Sequence, residues 1–273
     1  MPTPSSAETV QANTPVDKFK RDGFFVTPEP IIQADLIERA VTHMDAVMRC
    51  EYETGVPPTG RKWNPGDDER VIRKIDQPHI ADRTIMELFT CPSIGQWAAR
   101  LTGAKMIQLW ASQLLYKPPG GQDLGNVGWH QDKQYWTYWQ ECEVFTAWVA
   151  LNDVTEENGA MRFVRGSHTW GGVIEGGDFY GSDHEAQREA ITVPSGKVWD
   201  EVPAVLPAGG VSFHHRHTFH GSGPNLASWP RRSFALHLRT ENSASIAGIE
   251  KDAYTMKLDD ATICPILYQA ADA

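Results

Sequence analysis

The sequence has few cysteines, and they lie far apart. The four cysteines are Cys50, Cys91, Cys142 and Cys264, and no two of them form a Cys-x-x-Cys pair. Small secreted proteins that depend on disulfides place their cysteines densely. The sequence therefore argues against a disulfide framework, and we expect a reduced, cytoplasmic protein.

The chain also lacks an excess of positive charge and any long apolar run. Lys plus Arg number 25 and Asp plus Glu number 35, which gives a formal net charge of −10. An acidic chain has no electrostatic footprint for nucleic acid or an anionic membrane. No run approaches the roughly 20 apolar residues of a membrane span. Residues 1–15 show no basic region followed by an apolar core, so we expect a flexible N-terminus rather than a signal peptide.

The remaining 258 residues, 16–273 of the 273, are ordinary in composition and change texture along the chain. Helical periodicity covers residues 30–50, 83–89 and 93–101, and stops at Gly103. Short alternating runs separated by turns follow at 106–116, 144–151, 160–164, 204–206, 211–214 and 232–239, a pattern typical of a β-sandwich or barrel. We predict one domain with a helical part at about 16–104, a barrel at about 105–240 and a C-terminal extension at 241–273. The loops 51–70 and 171–200 are expected to close over the functional site.

Two separated motifs offer metal ligands. His130 and Asp132 lie two residues apart, so on a strand they point to the same face. His220 opens a Gly-rich motif 90 residues later. Two histidines and one carboxylate form the facial triad of non-haem iron(II) oxygenases, which leaves coordination positions open. Taken alone, His130 and Asp132 could instead be a hydrogen-bonded pair on a strand.

A strand opens at Arg231, and its alternation separates two arginines. Arg231 shares a face with small or polar residues at 233, 235 and 237, as a lined barrel interior requires. Arg232 shares the other face with apolar residues at 234, 236 and 238, which suits packing against helices. The pattern therefore directs Arg231, and not Arg232, toward the candidate site.

These motifs together resemble the phytanoyl-CoA dioxygenase family of iron(II)/2-oxoglutarate-dependent oxygenases. The matching segments occur in family order across residues 105–240, and they are Tyr116-Lys117-Pro118-Pro119-Gly120, Trp129-His130-Gln131-Asp132, Trp148, Glu157-Asn158-Gly159-Ala160, Arg165-Gly166-Ser167-His168, His220-Gly221-Ser222-Gly223-Pro224-Asn225 and Arg231. The resemblance implies a mainly β fold, a double-stranded β-helix (jelly-roll, cupin-like) barrel with N-terminal helices packed on it.

The resemblance also implies the cofactors and a role for each site residue. Iron(II) would be held by His130, Asp132 and His220, and 2-oxoglutarate and O2 would be the cosubstrates. Arg231 would pair with the distal carboxylate of 2-oxoglutarate, because its planar fork suits that group. The other residues implied around the cosubstrate are Ser222, Trp148, Gln113 and a basic residue that is either Lys74 or Arg73.

The implied reaction is hydroxylation of an unactivated carbon of a small molecule, with decarboxylation of 2-oxoglutarate to succinate. Halogenating relatives replace the carboxylate ligand with a small residue, so Asp132 favours hydroxylation. Desaturation, cyclisation or epimerisation would use the same cofactors, and a non-catalytic metal- or ligand-binding barrel is the alternative from another class. The sequence does not separate these outcomes, and it does not indicate the oligomeric state.

Several residues carry two interpretations. Trp148 could be core or pocket wall, and Tyr135 and Trp136 could contact an apolar or cationic substrate or pack under the loop 171–200. Lys117 is expected to be a solvated strand end. Two further sets are expected to be structural, namely His214, His215 and His217 at a strand end or pocket rim, and Arg162 and Arg165 as partners of acidic loops.

Overall fold

A computed structural model describes residues 13–120, 125–140, 143–246 and 257–271. The helices are α1 (Pro15–Asp22), α2 (Ala34–Met48), α3 (Arg83–Phe89), α4 (Pro92–Thr102) and α5 (His184–Ala190). Thr14 and Asp17 form a capping box at the start of α1, and Asp82 caps α3 through the amide of Ile85. These side chains satisfy amide groups that a helix N-terminus leaves without partners. The helices predicted at 30–50, 83–89 and 93–101 are confirmed within a few residues at each end.

The strands form two antiparallel sheets. They are β1 (Phe24–Val26), β2 (Gly60–Arg61), β3 (Arg73–Asp76), β4 (Met106–Lys117), β5 (Val127–His130), β6 (Val144–Ala150), β7 (Arg162–Val164), β8 (Glu201–Pro203), β9 (Val211–His215), β10 (His220–Ser222), β11 (Arg231–Thr240) and β12 (Ile266–Gln269). The large sheet has the order β1-β9-β6-β11-β4-β3-β2, with β12 also paired to β4. The small sheet has the order β5-β10-β7-β8. A mainly β fold with flanking helices is therefore confirmed.

The structure does not divide into a helical part and a barrel part at the boundaries predicted from the sequence. Three short strands, β1, β2 and β3, lie within the part predicted to be helical, and β12 comes from the C-terminal extension. The strand predicted at 204–206 is wrong, because β8 ends at Pro203 and Leu206 makes only an isolated bridge to Val154. Among the described residues no strand pair joins the two sheets, so the closed barrel of the prediction is not observed.

One face of the large sheet packs against the helices. Strand β11 places Phe234, Leu236 and Leu238 in a core that also contains apolar side chains of α2, α3 and α4. The opposite face looks toward the small sheet through a second cluster that includes Trp148, Ala235 and Phe163. Burial of both clusters drives the packing, because each apolar side chain removed from water contributes roughly 1.5–3 kcal/mol. Polar side chains such as His130, Asp132 and Arg231 line a cavity beside this second cluster, and the candidate site lies there.

None of the helices in the described ranges is long and apolar enough to cross a membrane. The first 12 residues of the predicted flexible N-terminus lie outside the described part of the chain.

Candidate active site

Strand pairing brings the two histidines together. His130 ends β5, and His220 begins β10, where it is the register partner of His130 in the antiparallel pair. Side chains of directly opposed residues stand on the same face of a sheet. The two imidazole rings accordingly lie 4.1 Å apart between centroids. The pairing of β5 with β10 in the small sheet therefore brings together two histidines that lie 90 residues apart in the sequence.

Asp132 joins the histidines from just beyond the strand. Gln131 is still extended, and Asp132 then opens a short 3-10 turn over Asp132–Gln134. An Oδ1 atom of Asp132 lies 3.8 Å from Nε2 of His130 and 3.6 Å from Nε2 of His220. The three ligand atoms all lie within 4.8 Å of one another, and all three side chains are buried. The predicted convergence of these three residues is present in the structure.

Main-chain carbonyls orient both imidazoles. Nδ1 of His130 lies 2.8 Å from the carbonyl oxygen of Gly128, and Nδ1 of His220 lies 2.9 Å from that of Thr218. A carbonyl only accepts, so each Nδ1 carries the proton and each Nε2 keeps a free lone pair. Burial lowers the pKa of both histidines, which favours the neutral ring that binds a metal. These protonation states fit a divalent metal ligand set.

Three side chains surround the carboxylate of Asp132. His214 Nε2 lies 3.1 Å from its Oδ2, and the hydroxyl of Thr146 donates to the same oxygen at 2.7 Å. Burial by itself would raise the pKa of Asp132, but the neighbouring His220 and the hydrogen bond from His214 outweigh burial and hold that pKa well below its usual value. Asp132 is therefore anionic, and one of its oxygens is held while the other faces the histidines. The sequence placed His214 at a strand end or pocket rim, and in the structure it lines the pocket and also holds Asp132 directly.

The same chain of hydrogen bonds extends to His237 on β11. Nδ1 of His237 lies 3.0 Å from the Thr146 hydroxyl oxygen. That hydroxyl donates its only hydrogen to Asp132, so it must accept a hydrogen from Nδ1 of His237. In the neutral ring, Nε2 of His237 then carries no proton. Burial lowers the pKa of His237 to about 4, so the ring is neutral. Sequence parity placed His237 on the inner face, but the hydrogen-bond chain gave no sequence signal.

Two adjoining cavities meet at the candidate ligands. A cavity of about 50 Å³ contains Ser222, Trp148 and Arg231 in its lining, and we call it the cationic cavity. A second, of about 130 Å³, contains Tyr135, Trp136, Phe179 and Tyr180, and we call it the aromatic cavity. Both cavities share the same dividing residues, namely Gln113, His130, Asp132, Phe179 and His237.

The cationic cavity collects the residues implied for the cosubstrate. Arg231 is buried, and its guanidinium lies 5.2 Å from the ring of Trp148, so Trp148 is at once core and cavity wall. Arg232 points to the other side and pairs with Asp45 of α2 at 3.1 Å. The parity prediction that separates the two arginines is confirmed. Burial lowers the pKa of Arg231 to about 10, which leaves it charged at neutral pH.

The expectation that Lys117 is a solvated strand end is wrong. Lys117 is completely buried at the end of β4. Its Nζ donates to Ser222 Oγ at 2.8 Å, to the Ser222 carbonyl at 3.2 Å and to the Gly223 carbonyl. Burial and the nearby Arg231 hold the pKa of Lys117 well below its usual value. The position of Lys117 after an alternating run predicts only that it ends a strand. Its burial depends on contacts with β10, which is remote in sequence.

The sequence left open whether Lys74 or Arg73 is the basic residue of the site, and the lining of the aromatic cavity distinguishes them. Lys74 lines it and lies 3.3 Å from the carboxylate of Asp76. Arg73 lies instead over the rings of Trp63 and Tyr116, at 4.0 Å and 4.5 Å. Of these two, only Lys74 can therefore reach the site.

The loop 171–200 covers the aromatic cavity, as predicted. The amide of Gly128 donates to the Phe179 carbonyl at 3.0 Å, and the amide of Asp178 donates to the Trp129 carbonyl at 2.9 Å, so the loop pairs with β5. Within the loop lies α5, which the sequence did not predict. The loop 51–70 contributes no residue to either cavity.

The expected structural roles of two arginines are confirmed. Arg162 pairs with Glu156 and Glu201, and Arg165 pairs with Asp22 and Asp200. His215 and His217 contribute to neither of the two cavities.

Comparison with known proteins places the chain among oxygenases. The family model of phytanoyl-CoA dioxygenase (PhyH) matches residues 19–233. A probable alpha-ketoglutarate-dependent hypophosphite dioxygenase of Stutzerimonas stutzeri is 30% identical over 174 residues, which cover 61% of this chain and 57% of that protein. Phytanoyl-CoA dioxygenase domain-containing protein 1 of Bos taurus is 26% identical over 269 residues, which cover 82% of this chain and 88% of the relative.

A solved structure supports the fold. The non-heme alpha ketoglutarate dependent carbocyclase SnoK from nogalamycin biosynthesis superposes with a TM-score of 0.68 at 23% identity, covering 94% of each chain. The predicted enzyme class, a 2-oxoglutarate-dependent non-haem iron oxygenase, agrees with these relatives. Since the family model spans most of the sequence, the chain belongs to the phytanoyl-CoA dioxygenase (PhyH) family.

Proposed function

We propose that this chain is an iron(II)- and 2-oxoglutarate-dependent dioxygenase that hydroxylates a small molecule and releases succinate. The observation that carries the proposal is the donor set: two neutral imidazoles present Nε2 lone pairs beside one anionic carboxylate, next to a buried cationic cavity. Iron(II) prefers this combination of ligands with open positions. His130, Asp132 and His220 would hold the metal, and the two facing sheets would be the halves of the family's double-stranded β-helix.

The cationic cavity suits a cosubstrate with a distal carboxylate. Arg231 has no carboxylate partner among the described residues, and its Nε is buried without a hydrogen bond. A buried guanidinium without an anion is unfavourable, so an incoming carboxylate would be held by a charge-assisted pair. Ser222 would add a hydroxyl, and Gln113 and Trp148 would form the walls. Arg231 therefore orients the oxo acid so that its other end reaches His130 and Asp132.

When bound, iron(II) supplies oxygen activation coupled to decarboxylation of the oxo acid. The chain's own residues prepare the place for it. The carbonyls of Gly128 and Thr218 fix the imidazole tautomers, and His214 and Thr146 hold Asp132 ionised. Phe179, on the loop 171–200, packs at 5.1 Å from the His130 ring and excludes water from that side.

The substrate would enter the aromatic cavity. Its size of about 130 Å³ and its aromatic lining favour a small, compact molecule that Tyr135 and Trp136 would contact. The hypophosphite relative acts on a small compound by its printed name, which supports a small substrate here. The cytoplasmic location expected from the sequence remains a prediction.

The test is anaerobic reconstitution with iron(II) and 2-oxoglutarate, followed by exposure to oxygen. We expect the visible charge-transfer band of an iron(II)–oxo acid chelate and then succinate formation. Products from a panel of small molecules separate hydroxylation, by a gain of one oxygen atom, from desaturation, cyclisation and epimerisation. Failure to bind iron and to form succinate would overturn the proposal in favour of a binding module.

A further inference from the structure

A second buried basic side chain, Lys117, lies behind the wall of the cationic cavity. Lys117 is completely buried and directs Nζ at three oxygens, Ser222 Oγ, the Ser222 carbonyl and the Gly223 carbonyl. In its charged form Lys117 has three donors and no acceptor, and these three oxygens accept all three. Among the described residues no carboxylate pairs with Lys117 or with Arg231, and both donate to hydroxyl or carbonyl oxygens instead. Burial and Arg231 hold the pKa of Lys117 well below its usual value, and a carboxylate bound in the cavity would favour the charged form of Lys117.

Lys117 does not itself line the cavity, whereas Ser222 does. The Ser222 hydroxyl oxygen accepts a hydrogen from Lys117 at 2.8 Å. A hydroxyl has a single hydrogen, and an ammonium cannot accept it. When a bound carboxylate keeps Lys117 charged, the hydrogen of Ser222 is therefore left for a group inside the cavity, on the side where Arg231 lies.

We propose that Lys117 is a positioning residue, which fixes the Ser222 hydroxyl as a donor into the cationic cavity and so sets the preference for an oxo acid with a distal carboxylate. The inference rests on the proposed function, because it assigns a ligand to the same site. Lys117 acts through Ser222, so its effect depends on that hydroxyl. Arg231 would contact the distal carboxylate directly, and Lys117 would orient the Ser222 hydroxyl so that it donates to the same carboxylate.

The experiment compares two oxo acids that differ only at the distal end. Binding of 2-oxoglutarate and of 2-oxopentanoate, which carries a methyl in place of the distal carboxylate, is measured by calorimetry on Mn(II)-loaded protein under nitrogen. Wild type, Lys117→Met, Ser222→Ala and the double variant are compared. A hydrogen bond to a charged group corresponds to a change of roughly tenfold to hundredfold in affinity.

We expect Lys117→Met and Ser222→Ala each to reduce the preference for 2-oxoglutarate by about tenfold or more. The double variant should lose no more than about twofold beyond Lys117→Met, since both changes remove the same hydrogen bond. Mn(II) affinity, measured separately, should stay within about twofold of wild type in Lys117→Met, which a merely structural collapse would not allow.

Lys117→Arg provides a second variant if Lys117→Met does not fold. It keeps the charge, but its planar fork does not offer three converging donors to these oxygens. We expect it to lose the preference as well. Retention of the wild-type preference in either lysine variant, or independent losses that add in the double variant, would overturn the inference. If wild-type protein binds Mn(II) but not 2-oxoglutarate, the proposed function itself fails, and the two failures are thus distinguishable.

Discussion

The two ends of the site are built by different means. At the metal end, the orienting partners of His130 and His220 are the main-chain carbonyls two residues before each ring, those of Gly128 and Thr218. At the cationic end, Lys117 and Arg231 come from neighbouring strands, β4 and β11, and contact oxygens of residues on other segments. Strand pairing assembles both ends, but the rings of the metal end are oriented by main-chain oxygens close to them in sequence, whereas the cationic end depends on contacts between separate segments.

Removing the carboxylate ligand should have the largest effect and break the metal end alone. For Asp132→Ala we expect loss of Mn(II) or iron(II) binding and a fall in succinate formation beyond the roughly 100-fold range typical of outer partners. Metal titration by calorimetry checks this. Asp178→Ala, which removes another carboxylate near the cavity, is the control and should bind metal as wild type does; equal losses in both variants would contradict the assignment.

Replacing the two adjacent arginines tests the cationic end. Arg231→Gln should raise the KM for 2-oxoglutarate by roughly 10-fold to 100-fold, because one charged donor to the distal carboxylate is lost. Arg232→Gln removes only the partly exposed ion pair with Asp45 and should leave KM nearly unchanged. Steady-state kinetics over a range of 2-oxoglutarate concentrations separates them. A large rise in KM for the Arg232 variant and none for the Arg231 variant would contradict the orientation of β11 in the structure.

The outer support of Asp132 should have an intermediate effect. His214→Phe keeps a ring but removes the hydrogen bond to Asp132 Oδ2. We expect metal affinity to fall about 10-fold to 100-fold. Titration with Mn(II) measures it, with His217→Phe as the matched control from the same segment; unchanged affinity in His214→Phe would show that Thr146 alone suffices to hold the carboxylate.

Acidification should weaken the metal end gradually and spare the cationic end. Folding lowers the pKa of His130 and His220 below the ordinary value of about 6.5, so both stay neutral at pH 7, and protons compete with metal only below that value. The same shifts make the unfolded state bind more protons, so stability is lost as pH falls from about 6.5. Mn(II) affinity and the midpoint temperature of thermal unfolding should both decline as the pH is lowered from 7.5 to 5. A rise in Mn(II) affinity on acidification would contradict this prediction.

The difference between the two ends also explains what the sequence could predict. His130, Asp132 and His220 are recognisable because their motifs are short and local, and period-2 alternation separates Arg231 from Arg232. Lys117 could not be interpreted in the same way, because its burial depends on Ser222 and Gly223 lying against β4. The hydrogen bonds among His237, Thr146 and Asp132 join three strands or turns, and no spacing in one sequence reveals them.

The fold shows the same limit. Strongly periodic segments such as α2, β4 and β11 are predictable within a few residues, because each carries a long apolar pattern. The short strands β2 and β3 are not, since two to four residues hold too little pattern, and these strands exist through the pairing of β3 with β4 and of β2 with β3. Helix α5 has no buried residue and therefore shows no apolar stripe in the sequence.

The carbonyl partners of the two imidazoles have a consequence for how such a site can change over time. A main-chain oxygen persists whatever side chain its residue carries, so substitutions at Thr218 that preserve the backbone path leave the orientation of the His220 ring intact. Gly128 is different, because a Cβ there would clash with the carbonyl oxygen of Asp178 and would force the covering loop to shift. Residues around the aromatic cavity are then free to diverge toward new substrates while the reactive centre is inherited unaltered with its strands.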